Sequence, residues 1–113
     1  MIALTLLLST ATVASSAVPS DQEHFAMWAL CLETKVAFAG REEPDPSMAV
    51  ATAMVDCSHF EPKAQEDMVR ALARTTTAEF ASGQGPSLIA MYKVKATADL
   101  LDKAERAYAA AKR

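Results

Sequence analysis

Residues 20–57 read SDQEHFAMWALCLETKVAFAGREEPDPSMAVATAMVDC. Gly40 is a natural end for a helix, and Asp45-Pro46 supplies a helix cap followed by proline at the first helical position. The stretch therefore predicts two antiparallel helices joined by a short polar turn. The inner face of the first helix is predicted from apolar residues at helical spacing, namely Phe25, Trp28, Leu32, Val36 and Ala39. That of the second is predicted at Val50, Met54 and Cys57.

The two cysteines lie at similar distances from that turn. Cys31 is nine residues before Gly40, and Cys57 is eleven residues after Pro46. At 1.5 Å of rise per residue, both are roughly 14–17 Å from the turn, so antiparallel helices bring them to the same depth. An even cysteine count in an exported chain is typical of a disulfide. We therefore predict a Cys31–Cys57 bond that clamps the first hairpin. Redox catalysis is disfavoured because a catalytic dithiol is usually Cys-x-x-Cys.

The remaining chain predicts two more helices. One begins at a capping box over Ser58–Glu61, is weakened by threonines at 75–77, and ends at Gly83–Pro86. The other runs from Ser87 almost to Arg113. A further capping box over Ser20–Glu23 opens the first helix. With 24 alanines and three glycines, the fold class is all-α, a small bundle of about four helices. The third helix has a predicted inner face of Ala64, Met68, Leu72 and Thr75, with Ala71 and Phe80. The last carries a stripe of Met91, Val94, Ala98, Leu101 and Tyr108, which either packs internally or forms a homodimer seam.

The first seventeen residues have the pattern of a cleaved signal peptide. An apolar centre over residues 2–8 is followed by small residues, and cleavage fits after Ala17 or after Ala14. Residues 18–113 are then a single helical domain. An uncleaved membrane anchor and an apolar first helix are the alternatives, but the serines and threonines of residues 9–16 disfavour stable membrane insertion. We expect a periplasmic or secreted protein. Abundant alanine and the absence of asparagine suggest a GC-rich bacterial source and hence the periplasm.

The composition and motifs disfavour several functions. The net charge of -3 offers no basic excess for nucleic acid. His24, Cys31, Cys57 and His59 are suitable zinc-ligand types at unsuitable spacing. No nucleophile motif, phosphate loop or haem attachment sequence is present, and carboxylate pairs such as Glu66-Asp67 are expected on solvated faces. We predict no cofactor, no metal and no enzymatic activity. The alternative is a small hydrolytic or metal-dependent enzyme that gathers His24 or His59 with carboxylates.

The predicted function is binding of an unidentified protein partner or a role in envelope stress. Trp28 is the candidate partner-binding residue, with core packing as the favoured interpretation. In size and layout alone, the chain resembles small two-cysteine helical periplasmic proteins such as the acid-stress chaperones, with no motif that assigns it to that family. A physical hypothesis accompanies this role. Below about pH 4 most of the 14 acidic residues lose their charge while 11 Lys and Arg stay charged, which loosens the chain and exposes apolar faces.

Overall fold

The computed structural model describes residues 20–113, so the predicted signal peptide and its cleavage sites at Ala14 and Ala17 lie outside the described residues. Within this range the chain is all-helical, without strands, and has five α-helices rather than about four. Short 3₁₀ turns at Ser20–Gln22 and Ser58–Phe60 precede the first and third helices. The helices are α1 (Glu23–Gly40), α2 (Pro46–Asp56), α3 (Glu61–Ala73), α4 (Ala78–Ser82) and α5 (Gly85–Ala111).

The first hairpin has the predicted architecture. Trp28, Leu32 and Val36 are buried along one face of α1, with Phe25 and Ala39 packed beside them. Helix α2 begins where the sequence predicts, because an Asp45 carboxylate oxygen accepts a hydrogen bond from the Ser47 amide at 3.0 Å. Helix α5 packs against α1, α2 and α3, and the core lies between these four elements. Outside α1 its members are Ala49, Val50 and Ala53 of α2, Cys57 immediately after α2, Ala64 of α3, and Ile89, Leu100 and Ala104 of α5.

The predicted third helix is broken after Ala73. The hydroxyls of Thr75 and Thr76 both donate to the Leu72 carbonyl oxygen, and the Thr77 hydroxyl then accepts from the Phe80 amide as the cap of α4. The Leu72 carbonyl oxygen also accepts the amides of Thr75 and Thr76, and the helix ends because Thr77 takes an extended backbone conformation. The placement of Thr75 and Phe80 on the inner face is therefore wrong, since both are exposed.

The helices that the two capping boxes are predicted to open both begin later than expected. The N-cap position of α1 is Gln22, whose side chain makes no capping bond to its own helix. Its Nε2 instead donates to the Asp67 carbonyl oxygen at 2.7 Å. The Ser58 hydroxyl donates backward to the Val55 carbonyl oxygen, so it terminates α2 instead of starting α3. In both cases a 3₁₀ turn delays the start of the following helix.

The stripe that the sequence places on the last helix is not the main buried face. Met91, Val94 and Ala98 are exposed and Leu101 packs at the edge of the core, whereas the buried face consists of Ile89, Leu100 and Ala104, with Tyr92 and Ala96 beside them. The contact of this face with α1 requires small residues. A Cβ at Gly40 would lie 2.9 Å from the Ala104 carbonyl oxygen, so α1 and α5 approach closely through small residues. Gly40 therefore serves this contact, since its φ is not positive.

Candidate functional site

The predicted disulfide is present. Cys31 of α1 and Cys57, immediately after α2, are bonded with their Cα atoms 6.0 Å apart. Cys57 is fully buried, while Cys31 is partly exposed beside the core. The bond joins the two helices far from their connecting turn, which is the clamp expected from the sequence. Both sulfurs are consumed in this bond, so neither is a thiolate ligand for zinc in this state.

Trp28 lies in the core. None of its surface is exposed, and its ring packs 5.1 Å from Tyr92 and 6.3 Å from Phe25, measured between ring centroids. Phe25 and Tyr92 complete the cluster with an edge-to-face contact at 5.0 Å. Across residues 20–113 the Trp28 indole N–H finds no hydrogen-bond acceptor. Trp28 therefore anchors the contact between α1 and α5 and offers no exposed atom to a partner in this conformation.

The two histidines occupy different surroundings and both are exposed. His24 Nδ1 lies 3.7 Å from an Asp67 carboxylate oxygen, and His59 stacks on Phe60 with ring centroids 4.3 Å apart. In the described part of the chain no group of three His, Cys, Asp or Glu side chains is placed to hold a metal ion. The structure does not bring the four zinc-type residues together.

Asp67 is a buried polar residue, and the prediction that it lies on a solvated face is wrong. Its side chain on α3 is fully buried against the start of α1. One carboxylate oxygen accepts a hydrogen bond from the Phe25 amide at 2.9 Å. The other accepts a hydrogen bond from the Arg70 guanidinium. Arg74 pairs with Asp21 alongside. An anion at the first turn of α1 is favourable because it accepts an orphan amide and opposes the helix dipole.

The contacts of Asp67 hold α1 onto α3. Its carboxylate accepts hydrogen bonds from the Phe25 amide and the Arg70 guanidinium, and His24 Nδ1 lies 3.7 Å from the oxygen that Arg70 contacts. Position 67 follows Ala64 by three residues on the inward face of α3. That spacing is the one sequence feature that indicates burial of this carboxylate.

A cleft of about 330 Å³ lies between α1 and α5, with Tyr92 among its lining residues. Burial raises the pKa of Tyr92 above its ordinary value, and the negative charges of Glu33 and Asp99 raise it further. The cleft also carries Asp102 paired with Arg106 at 2.9 Å. Its lining is therefore mixed in charge, and the phenol of Tyr92 is held in its neutral form.

An apolar exposed region lies on the side of α1 that faces away from the core, which we call the outer surface of α1. It consists of Met27, Leu30, Thr34 and Phe38, which share one helix face, together with Phe60 from the 3₁₀ turn before α3. Leu30 is 64% exposed and Phe38 is 68% exposed. A helix that is apolar on both sides is normally buried on both sides. Here one of the two apolar sides is left open.

No family model, curated protein or solved structure matches this chain. None of the helices within residues 20–113 has the length and apolarity required to cross a membrane.

Proposed function

We propose that this chain is a small exported helical protein, periplasmic or secreted, that binds another protein and catalyses no reaction. The outer surface of α1 carries the proposal. Large exposed apolar patches on a folded protein mark interaction sites, whereas scattered single apolar residues do not. Met27, Leu30 and Phe60 line one continuous groove over the disulfide.

The disulfide supports the proposed location. Disulfides persist in oxidising compartments and are rare in the reducing cytosol. The signal-peptide pattern of residues 1–17 indicates the same route. The intact mass of the chain, expressed from its own start codon in a Gram-negative bacterium, tests this part. We expect loss of the first 14–17 residues and thiols that react only after reduction. A full-length chain with two reactive thiols would contradict export and restore the membrane-anchor alternative.

The binding role is tested by dye binding and by suppression of aggregation. We expect the protein to bind an apolar fluorescent dye and to slow the aggregation of an unfolding model protein at pH 7. At pH 2–3 both effects should increase, because most of the 14 acidic residues lose their charge while the 11 Lys and Arg keep theirs, so the chain becomes strongly positive. A protein that binds no dye and gives no protection at either pH would contradict the proposed function.

A further inference from the structure

We infer that the partner presents an amphipathic helix with acidic flanks, which docks along the outer surface of α1. The inference rests on the proposed function and names the chemistry of the partner at the same surface.

The shape of the surface fits a helix. Leu30 and Thr34 are one turn apart and form a ridge with a groove on each side. The groove toward Phe60 has a volume of about 340 Å³, and the groove toward Ala107 of α5 has a volume of about 490 Å³. Helices pack by placing the side-chain ridges of one into the grooves of the other, and a row of residues four apart is the commonest ridge. The Leu30–Thr34 ridge and the two open grooves beside it form one side of such a helix–helix contact, and the partner helix would form the other side.

The length of the surface sets the length of the partner segment. Met27 and Phe38 are eleven residues apart, which is about 16 Å along the helix axis, or three turns. A partner helix of about three to four turns covers it, with apolar residues at positions i, i+3, i+4 and i+7.

The charges beside the ridge determine the flanks of the partner. Lys35 lines the groove toward Phe60, and Lys103 lines the groove on the opposite side. Among residues 20–113 neither lysine has a carboxylate within 4.0 Å, whereas the nearby Arg106 is paired with Asp102. Glu33 is the carboxylate that lines the second groove. The two grooves are thus lined by three cations, Lys35, Lys103 and Arg106, and by one carboxylate, so this surface is net positive in a chain of net charge -3. Acidic residues on both flanks of the partner helix are complementary to these cations.

The experiment uses two synthetic helical peptides with the same apolar stripe and the same hydrocarbon staple on the solvent side, one with Glu flanks and one with Lys flanks. Binding to the purified exported protein is measured by fluorescence anisotropy at low and high salt. We expect the Glu peptide to bind about tenfold more tightly at low salt, with the difference shrinking as salt screens the exposed charges. Leu30→Glu should abolish binding, whereas Val94→Glu, at a more exposed apolar residue of α5, should leave it unchanged.

Charge reversal is the decisive variant. Lys35→Glu combined with Lys103→Glu should transfer the preference to the Lys peptide, and circular dichroism confirms that each variant is folded. Equal binding of both peptides, or binding of neither, overturns the inference. A stable dimer in sedimentation analysis that Leu30→Glu dissociates also overturns it, because the surface then belongs to a second copy of the chain. If protection against aggregation persists while the peptides fail, only this inference is wrong; if protection is absent as well, the proposed function fails.

Discussion

Replacing Asp67 with alanine should lower the free energy of unfolding by about 2.5–3 kcal/mol. The Phe25 amide loses its acceptor, which is equivalent to loss of a helix cap and contributes about 1 kcal/mol. The Arg70 guanidinium loses a charge-assisted bond, for which about 1.5–3 kcal/mol is typical. The lower part of that range applies because the Arg70 side chain is 49% exposed and water replaces the carboxylate.

Two matched variants separate the contributions to this effect. Asp67→Asn keeps an oxygen for the Phe25 amide and removes the charge, so its effect should be about half as large. Arg70→Met leaves the carboxylate buried with the Phe25 amide and should be destabilising by about 1–3 kcal/mol. The assay is urea unfolding followed by circular dichroism, together with hydrogen exchange at the Phe25 amide. If Asp67→Ala unfolds within about 0.5 kcal/mol of the unmodified protein, the carboxylate does not hold α1 onto α3 and the reasoning is refuted.

Three further predictions concern stability. Replacing both Cys31 and Cys57 with serine should lower the free energy of unfolding by about 3.5 kcal/mol, the contribution of loop-closure entropy for a separation of 26 residues. A loss below about 1 kcal/mol in urea unfolding would contradict the role of the disulfide as a clamp. Gly40→Ala should destabilise the protein by about 1–3 kcal/mol in thermal unfolding, because the new Cβ would lie 2.9–3.0 Å from backbone atoms of α5. Gly83→Ala should be neutral in the same measurement, because the nearest atom to its new Cβ would be 3.6 Å away. Since the folded state raises the pKa of Tyr92, stability should fall as the pH rises above about 10, the value in the unfolded chain. Tyr92→Phe should remove that part of the pH dependence, and identical alkaline curves for the two proteins would contradict it.

The features predictable from the sequence are those with local causes. The buried face of α1 follows from one apolar period, and the start of α2 follows from Asp45 and Pro46. The disulfide follows from two cysteines at similar distances from a turn, since only one pairing exists. The first two signals lie within a few residues of the structure they determine, and the third needs only the turn between two adjacent helices.

The features that the sequence did not predict depend on distant contacts. Helix α5 carries two apolar stripes, and the buried one includes Ala104, where Gly40 of α1 approaches closely. Asp67 is buried because its carboxylate accepts a hydrogen bond from the Phe25 amide, which lies 42 residues earlier in the chain. The sequence does not predict the outer surface of α1, for a similar reason. Periodicity identifies an inner face but does not reveal that Leu30 and Phe60 meet across a groove.

The most direct test of the account compares protection against aggregation by three proteins at equal concentration: the unmodified chain, Leu30→Glu and Val94→Glu. The two substitutions place the same charge on exposed apolar residues of α1 and α5, respectively. The account predicts that Leu30→Glu loses protection while Val94→Glu retains it, with both variants as stable as the unmodified protein. Equal protection by the two variants would show that the outer surface of α1 is not the binding surface.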